Sequence, residues 1–228
     1  MSVGQLLVVV LLVVLAWYLL RNQDDDAAGS PPTTPPAGEA PPAEAPASPE
    51  GPAAEVLASL TVLPEGARDG YEREAFGEGW RVAADGCDVR EHVLVDESRT
   101  PAARGSDGCS VQRGDWLSLY DGYSTPDPGE LEIDHLVPLA EAWDSGASGW
   151  SDAQRETFAN DLDRPDALIA VTAATNQSKS DRDPAEWMPP DRDAWCRYAG
   201  AYITQKAAWD LAVDPAEQDA LENVLATC

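Results

Sequence analysis

An aspartate and a histidine, Asp134 and His135, stand side by side in the apolar stretch LEIDHLVPLA. Imidazole is the usual general base near neutral pH because its pKa is about 6.5, and carboxylates are preferred ligands of hard cations. Two amides, Asn160 and Asn176, and a lysine, Lys179, follow in chain order. These residue types suit phosphodiester hydrolysis, in which a base takes a proton from water and a cation offsets the charge on the phosphoryl and leaving oxygens.

Apolar patterns predict the elements that position these residues. LEIDHLVPL is predicted to be a strand and ALIAVT a second, short strand. Between them, SDAQRETFAND predicts a helix with Ser151 as its N-cap. The segment TNQSKSDRDPAEW, which contains Asn176 and Lys179, is predicted to be a loop or a helix start. The tail is mostly helical, with a last helix starting at Pro215 after the cap Asp214. The predicted fold class is α+β with a helical C-terminal third.

Two further patterns have structural interpretations. The segment His92–Val95 has β-type residues, and His92 lies outside the D-H … N … N-x-x-K order, so we interpret it as a structural histidine. Aromatic residues of the tail recur at three- and four-residue spacing, which is typical of a helix face that packs in a core. They are Trp195, Tyr198, Tyr202 and Trp209.

The order of the candidate residues resembles that of the HNH, or ββα-metal, nucleases. IDHLVPLAEAWDSGA, RETFANDL and LIAVTAATNQSKSDRDPAEWMPP resemble more closely the secreted or surface-anchored HNH endonuclease-family proteins of actinobacteria described as DUF1524. The resemblance covers about residues 70–228 and is most specific over 131–190. It implies a ββα-metal core with an added N-terminal β and loop region.

The resemblance implies that His135 is the general base and that Asp134 and Asn176 are metal ligands. The last histidine of the HNH pattern is Asn176 in this chain. The implied cofactor is a divalent metal, Mg²⁺ in the first place and Mn²⁺ as the alternative, because one carboxylate and one amide oxygen suffice for a cation that keeps several waters.

Three more residues receive catalytic or binding roles from the resemblance. Asn160 would brace the loop that bears the base, and simple helix capping is the alternative. Lys179 would belong to the catalytic set and, together with Arg182, would neutralise substrate phosphates. The alternative for both cations is a solvated surface position.

The predicted function is a metal-dependent endonuclease that acts on nucleic acid, DNA before RNA. A catalytically inactive module of the same fold, which binds an envelope polymer or a protein, is the alternative, because a net charge of −26 is the opposite of a basic nucleic-acid-binding surface. A peptide or peptidoglycan hydrolase is disfavoured because the sequence has no second histidine spaced for zinc and no GxSxG motif. The sequence indicates no particular protein partner.

The N-terminal quarter predicts an anchor and a spacer. Residues 3–20 carry no charge and as a helix would rise about 27 Å, near the thickness of a bilayer core. Residues 1–21 are therefore predicted to be a transmembrane anchor, with a signal peptide as the alternative. Residues 22–54, rich in Pro, Ala and Glu, are predicted to be a disordered linker, and residues 55–228 the folded domain. The predicted location is the cell membrane with the domain outside, or secretion if the N-terminal segment is cleaved.

Four cysteines lie in the predicted domain: Cys87, Cys109, Cys196 and Cys228. No CxxC pair occurs and no histidine is close to any of them, so a zinc site is disfavoured. Their even number beyond an apolar N-terminal segment predicts two disulfides in an oxidising compartment. Three pairings are possible, and the local one, Cys87–Cys109 with Cys196–Cys228, is the simplest.

Overall fold

The structure is a computed structural model that describes residues 50–228. Within this range the elements, in chain order, are α1 (Glu50–Ser59), α2 (Val89–Asp96), β1 (Ala103–Arg104), β2 (Val111–Arg113), β3 (Trp116–Leu117), β4 (Ser124–Thr125), β5 (Leu131–His135), α3 (Leu139–Asp144), α4 (Asp152–Ala159), β6 (Leu168–Thr172), α5 (Ala173–Lys179), α6 (Trp195–Ala208) and α7 (Pro215–Leu225). Short 3-10 helices occupy Arg73–Phe76, Pro128–Glu130, Ala147–Gly149 and Arg192–Ala194. The mixture of helices and small sheets confirms the α+β class.

The strands pair two by two in antiparallel ladders, β1 with β2, β3 with β4 and β5 with β6. The β5–β6 pair contains both strands predicted around the candidate residues, and its register places Asp134 opposite Ile169 and His135 opposite Leu168. Helix α5 follows β6 without a loop because Thr172, the last residue of β6, is also the N-cap, and its side chain accepts a hydrogen bond from the Thr175 amide. Strands β5 and β6 are thus paired, and helix α5 continues directly from the end of β6.

The predicted starts of α4 and α7 are confirmed. The Ser151 hydroxyl accepts a hydrogen bond from the Gln154 amide, and the Gln154 side chain accepts one from the Ser151 amide, which together form a capping box. At α7 the Asp214 carboxylate accepts from the Ala216 and Glu217 amides, with a proline at the first helical turn.

The main core lies among α1, α3, α6 and α7. The aromatic face of α6 is buried in it, with Tyr198 and Tyr202 fully inaccessible, which confirms that the face belongs to the core. Lys206 on the same helix is also fully buried, and its Nζ lies 2.5 Å from Glu141 Oε1 and 3.0 Å from Glu217 Oε1. This buried ion cluster joins α3, α6 and α7.

One predicted element type and one predicted boundary differ from the structure. The segment His92–Val95 is part of helix α2 and not of a strand, because the Asp88 side chain caps the Glu91 amide and Val89, Val93 and Leu94 are buried along one helix face. Helix α1 begins at Glu50, so residues 50–54 of the predicted linker are helical. The predicted anchor and the rest of the predicted linker lie outside the described residues. Over residues 50–228, every helix is too short or too polar to span a bilayer.

The predicted disulfides are confirmed with the local pairing. Cys87 bonds Cys109, with Cα atoms 5.1 Å apart, and Cys196 bonds Cys228, with Cα atoms 5.7 Å apart. The second bond fastens the end of the chain to α6. Such bridges persist in oxidising compartments.

Candidate functional site

The candidate residues lie where α5 packs against β5. Side chains alternate along a strand, so Glu132 and Asp134 share one face of β5. Residues three apart on a helix also share a face, and α5 presents Asn176 and Lys179 to those two carboxylates. Asn176 Nδ2 donates to Glu132 Oε2 over 2.8 Å, and Lys179 Nζ lies 2.8 Å from Asp134 Oδ2. The two-residue spacing of the carboxylates on β5 thus matches the three-residue spacing of Asn176 and Lys179 on α5, and each carboxylate has one partner on the helix.

The Asp134 carboxylate is fixed through one of its two oxygens. It is 7% exposed, and Oδ2 accepts hydrogen bonds from the Tyr120 hydroxyl at 2.5 Å and from Lys179 Nζ. Within residues 50–228, Oδ1 has no hydrogen-bond partner. A carboxylate held in this way keeps one oxygen available for a further ligand.

The His135 imidazole is held in a single tautomer. Its Nε2 lies 2.9 Å from the carbonyl oxygen of Ala159, at the end of α4. Because a carbonyl only accepts hydrogen bonds, Nε2 carries the proton and Nδ1 has a free lone pair. The ring also stacks on the indole of Trp80, with centroids 5.2 Å apart and planes 21° from parallel. Two contacts therefore fix the orientation of the ring.

Burial keeps His135 neutral. It lowers the pKa of His135 from 6.5 to about 3 and outweighs the hydrogen bond to the Ala159 carbonyl, which raises it. The positive charges of Arg73 and Lys179 lower the pKa further. The imidazole is consequently an uncharged proton acceptor throughout the neutral pH range.

Asp134, His135 and Asn176 line one cleft of about 230 Å³. Strand alternation alone would separate the first two, but β5 ends at His135, and the chain turns there through a proline before α3. Three of the predicted site residues are thus brought together. The remaining lining residues are Tyr71, Arg73, Ile133, Pro138, Leu139, Ala140, Gln177, Ser180 and Asp181.

Asn160 lies behind the cleft, 1% exposed, at the C-terminal end of α4. Its Oδ1 accepts a hydrogen bond from the Arg81 amide at 2.8 Å, and its Nδ2 donates to the Glu156 carbonyl at 3.0 Å. It therefore links two partners of the His135 ring: the helix end that offers the Ala159 carbonyl and the segment that carries Trp80.

Lys179 and Arg182 do not line the cleft, which does not fit the predicted phosphate contacts. Lys179 is completely buried, and its Nζ donates to the His135 carbonyl over 2.9 Å in addition to Asp134. Arg182 directs its guanidinium to the backbone carbonyls of Ser178 and Lys179. Lys179 thus holds α5 against β5, because a buried charged group requires partners of this kind. Arg182 instead bonds the last carbonyls of α5 itself.

Several residues of the site were not found from the sequence. Tyr120, which fixes Asp134, and Trp80 and Arg73, which adjoin His135, come from segments with no place in the D-H … N … N-x-x-K order. The two glycines that precede Trp80 in EAFGEGWR were the available signal. Gly77 and Gly79 have φ of 109° and 115°, a backbone conformation that favours glycine.

A separate acidic cluster lies at another cavity, of about 160 Å³. Oxygens of Glu65, Glu141 and Asp144 lie within 4.8 Å of one another. Arg68 Nε is 2.7 Å from Asp144 Oδ2, and Lys206 binds Glu141. Protein cations therefore already offset part of this charge.

Comparison with known proteins places the candidate residues in a described family. Residues 96–224 match the family described as "GmrSD restriction endonucleases, C-terminal domain". A relative from Arthroderma benhamiae, an "uncharacterized secreted protein", is 42% identical over 193 residues, which are 83% of this chain and 93% of the relative. No solved structure matches the chain significantly.

The relative corrects the predicted location. A single-pass membrane anchor conflicts with the description of a relative that is 42% identical as a secreted protein. The prediction of a membrane-anchored domain is therefore wrong. It rested on the apolar run of residues 3–20, a pattern that anchors and signal peptides share.

The matched range covers more than half of the chain and includes Asp134, His135, Asn160 and Asn176. The resemblance to nucleases is confirmed at this level, whereas the HNH subtype stays a prediction. The chain belongs to a nuclease family, that of the C-terminal domain of the GmrSD restriction endonucleases.

Proposed function

We propose that this protein is a metal-dependent endonuclease that hydrolyses phosphodiester bonds of nucleic acid, with His135 as the general base. The observation that carries the proposal is the cleft that joins a neutral imidazole of fixed tautomer to a carboxylate and an amide. The description of the family as restriction endonucleases favours DNA over RNA as the substrate.

The donor set fits a hard divalent cation. Asp134 Oδ1 has no partner within the described residues, and Asn176 uses its Nδ2 for Glu132, so its carbonyl oxygen is available. One carboxylate and one amide oxygen, with water in the other positions, suit Mg²⁺ or Mn²⁺. When bound, such a cation would offset negative charge at the phosphoryl group and the leaving oxygen.

His135 acts on the attacking water. Its Nδ1 takes a proton from water as the water oxygen forms a bond to phosphorus and the bond from phosphorus to the leaving oxygen breaks. The leaving oxygen gains a proton from solvent, and His135 returns its proton to water. A phosphodiester anion in the cleft would raise the pKa of His135 and strengthen the base when substrate is bound.

The surrounding residues act by positioning. Lys179 and Tyr120 hold Asp134 through Oδ2, and Trp80 and the Ala159 carbonyl hold the His135 ring. Geometry fixed before substrate arrives lowers the cost of reaching the transition state.

We further propose that the protein works outside the cell. The description of the relative as secreted and the two disulfides of this chain support that location.

The test is digestion of supercoiled plasmid and of RNA by the full chain, with Mg²⁺ or Mn²⁺ against EDTA. We expect metal-dependent cleavage that falls about 10²–10⁴-fold in His135→Ala. His92→Ala is the matched control, because His92 bonds Asp85 away from the cleft. The same activity per folded molecule in both variants would refute His135 as the base.

Metal titration tests the ligands. Asp134→Ala and Asn176→Ala should need more metal for half-maximal activity. Glu65→Gln, in the separate acidic cluster, should leave that requirement unchanged. Absence of cleavage with every metal, in a protein with native circular dichroism, would favour the alternative of an inactive binding module.

A further inference from the structure

A segment that precedes the matched family range contributes to the lining of the cleft. We call residues 71–81 the strap. It includes the 3-10 helix Arg73–Phe76, and the family match begins only at residue 96. Arg73 lines the cleft, and it also lines an adjoining cavity of about 90 Å³ together with Trp80 and His135. The strap therefore adds side chains to a site whose other candidate residues come from the family domain.

The strap is fastened at three residues that follow Arg73 in the chain. Phe76 is 1% exposed and packs on Phe158, with ring centroids 6.0 Å apart. Trp80 stacks on His135, and the Arg81 amide bonds Asn160 Oδ1. A short loop with three such attachments holds the Arg73 backbone at a fixed distance from the general base.

The Arg73 guanidinium is unengaged within residues 50–228. It is exposed and has neither a hydrogen bond nor an ion pair with any residue in this range. Among the residues of 50–228 that line the cleft, Arg73 is the only cation.

The charge balance of the cleft makes this cation important. Asp134 and Asp181 contribute negative charge to the lining, and the chain as a whole carries −26. A phosphodiester anion entering such a cleft is favoured by a positive side chain in addition to the divalent cation proposed above. Lys179 is buried, and Arg68 is paired with Asp144 and Asp181. The planar guanidinium of arginine matches the oxygens of a phosphate with two parallel hydrogen bonds.

We infer that Arg73 is the substrate-phosphate contact of this cleft, in the place that Lys179 and Arg182 were predicted to fill. The inference rests on the proposed nuclease function, since it names the cation that receives the phosphate which His135 helps to cleave. The ligand is a phosphodiester group of a nucleic-acid strand.

The experiment measures binding separately from cleavage. A fluorescent DNA duplex is titrated with the full chain carrying His135→Ala, so that it stays intact, at several salt concentrations. Each phosphate contact contributes about 0.9 to the slope of log K against log salt for duplex DNA. Arg73→Ala should lower that slope by about one. Arg113→Ala, which removes an exposed charge that does not line the cleft, is the matched control and should leave the slope unchanged.

Kinetics provide the second readout. With His135 restored, Arg73→Ala should lower kcat/KM about 10- to 100-fold, because a hydrogen bond to a charged group is lost. Arg73→Lys should recover part of the loss, since it keeps the charge but not the paired geometry. Thermal melting should be unchanged in each variant, because the side chain has no partner to lose in the described structure.

The outcomes separate the two proposals. If the parent cleaves DNA while Arg73→Ala behaves like Arg113→Ala in slope and kcat/KM, the role of Arg73 is refuted and the nuclease function stands. If the parent neither cleaves nor binds nucleic acid with any divalent metal, the proposed function fails and the phosphate role fails with it.

Discussion

Replacement of Lys179 by methionine distinguishes a structural lysine from a phosphate-binding one. In the structure, Lys179 is completely buried, and its Nζ lies 2.8 Å from Asp134 Oδ2 and 2.9 Å from the His135 carbonyl oxygen. Methionine fills a similar volume without the charge. The substitution therefore removes the ionic partner of Asp134 with little change in packing.

The expected loss of stability follows from the burial of both partners. Breaking a buried ion pair by removing one partner costs about 3–5 kcal/mol, because the other charge is left uncompensated. The Tyr120 hydroxyl still donates to Asp134, so we expect a loss of about 3 kcal/mol, at the low end of this range. For a domain of this size each kcal/mol corresponds to about 2–4 °C in Tm, which gives a decrease of about 6–12 °C.

The assay is thermal unfolding followed by circular dichroism, for Lys179→Met, Asp134→Asn and the double variant. The double variant should melt above Lys179→Met alone, since the neutral amide that Asp134→Asn introduces does not need a cation. Arg113→Met removes an exposed charge and serves as the matched control, with an expected change in Tm near zero. A Lys179→Met protein with the parental Tm and weaker DNA binding would refute this reasoning and restore the predicted phosphate contact.

Three further predictions concern pH, covalent links and the support of the base. Burial raises the pKa of Glu97 from 4.5 to about 7. Between these two pH values the folded state therefore holds a proton that the unfolded state has lost. The free energy of unfolding should consequently fall by up to about 3 kcal/mol as the pH rises from 4.5 to about 7. Glu97→Gln should flatten that part of a urea-unfolding pH series, and an unchanged slope would contradict the assignment. Replacing Cys196 and Cys228 together by alanine should cost about 2–4 kcal/mol in urea unfolding, whereas an unchanged midpoint would show that the bridge does not constrain the unfolded chain. Asn160→Ala leaves the Arg81 amide without its acceptor and should cost about 1–3 kcal/mol; kcat should fall as well, and native kcat and Tm would contradict its bracing role.

Local patterns were sufficient for elements whose determinants lie within a few residues. The strand at LEIDH, the strand at LIAVT and the two capped helix starts at Ser151 and Asp214 were all predicted, because alternation and caps are short-range signals. The cysteine count predicted two bridges, and their local pairing was the simplest of three. The segment at His92 was misread because its β-type residues pack as one face of a capped helix.

The residue types at the candidate site were also available from the sequence. Asp134, His135 and Asn176 were identified from their order, and the structure gathers them in one cleft. Their metal and base roles rest on the proposal above. The cellular location of the protein could not be predicted from the sequence, since an apolar N-terminal run has the same composition in a membrane anchor and in a signal peptide.

Only the tertiary structure decided what the cations do. The sequence around Lys179 does not show whether its side chain faces solvent or a buried carboxylate. The packing of α5 on β5 buries Lys179 beside Asp134. Arg73, which is distant from His135 in the sequence, reached the cleft through the strap, whose anchor at Phe76 depends on a long-range core contact. The sequence determines which residues are charged and in what order they occur. Whether a charged side chain is exposed, and which group it pairs with, depends on the packing of distant segments. Exposure and pairing in turn decide which cation can bind a substrate.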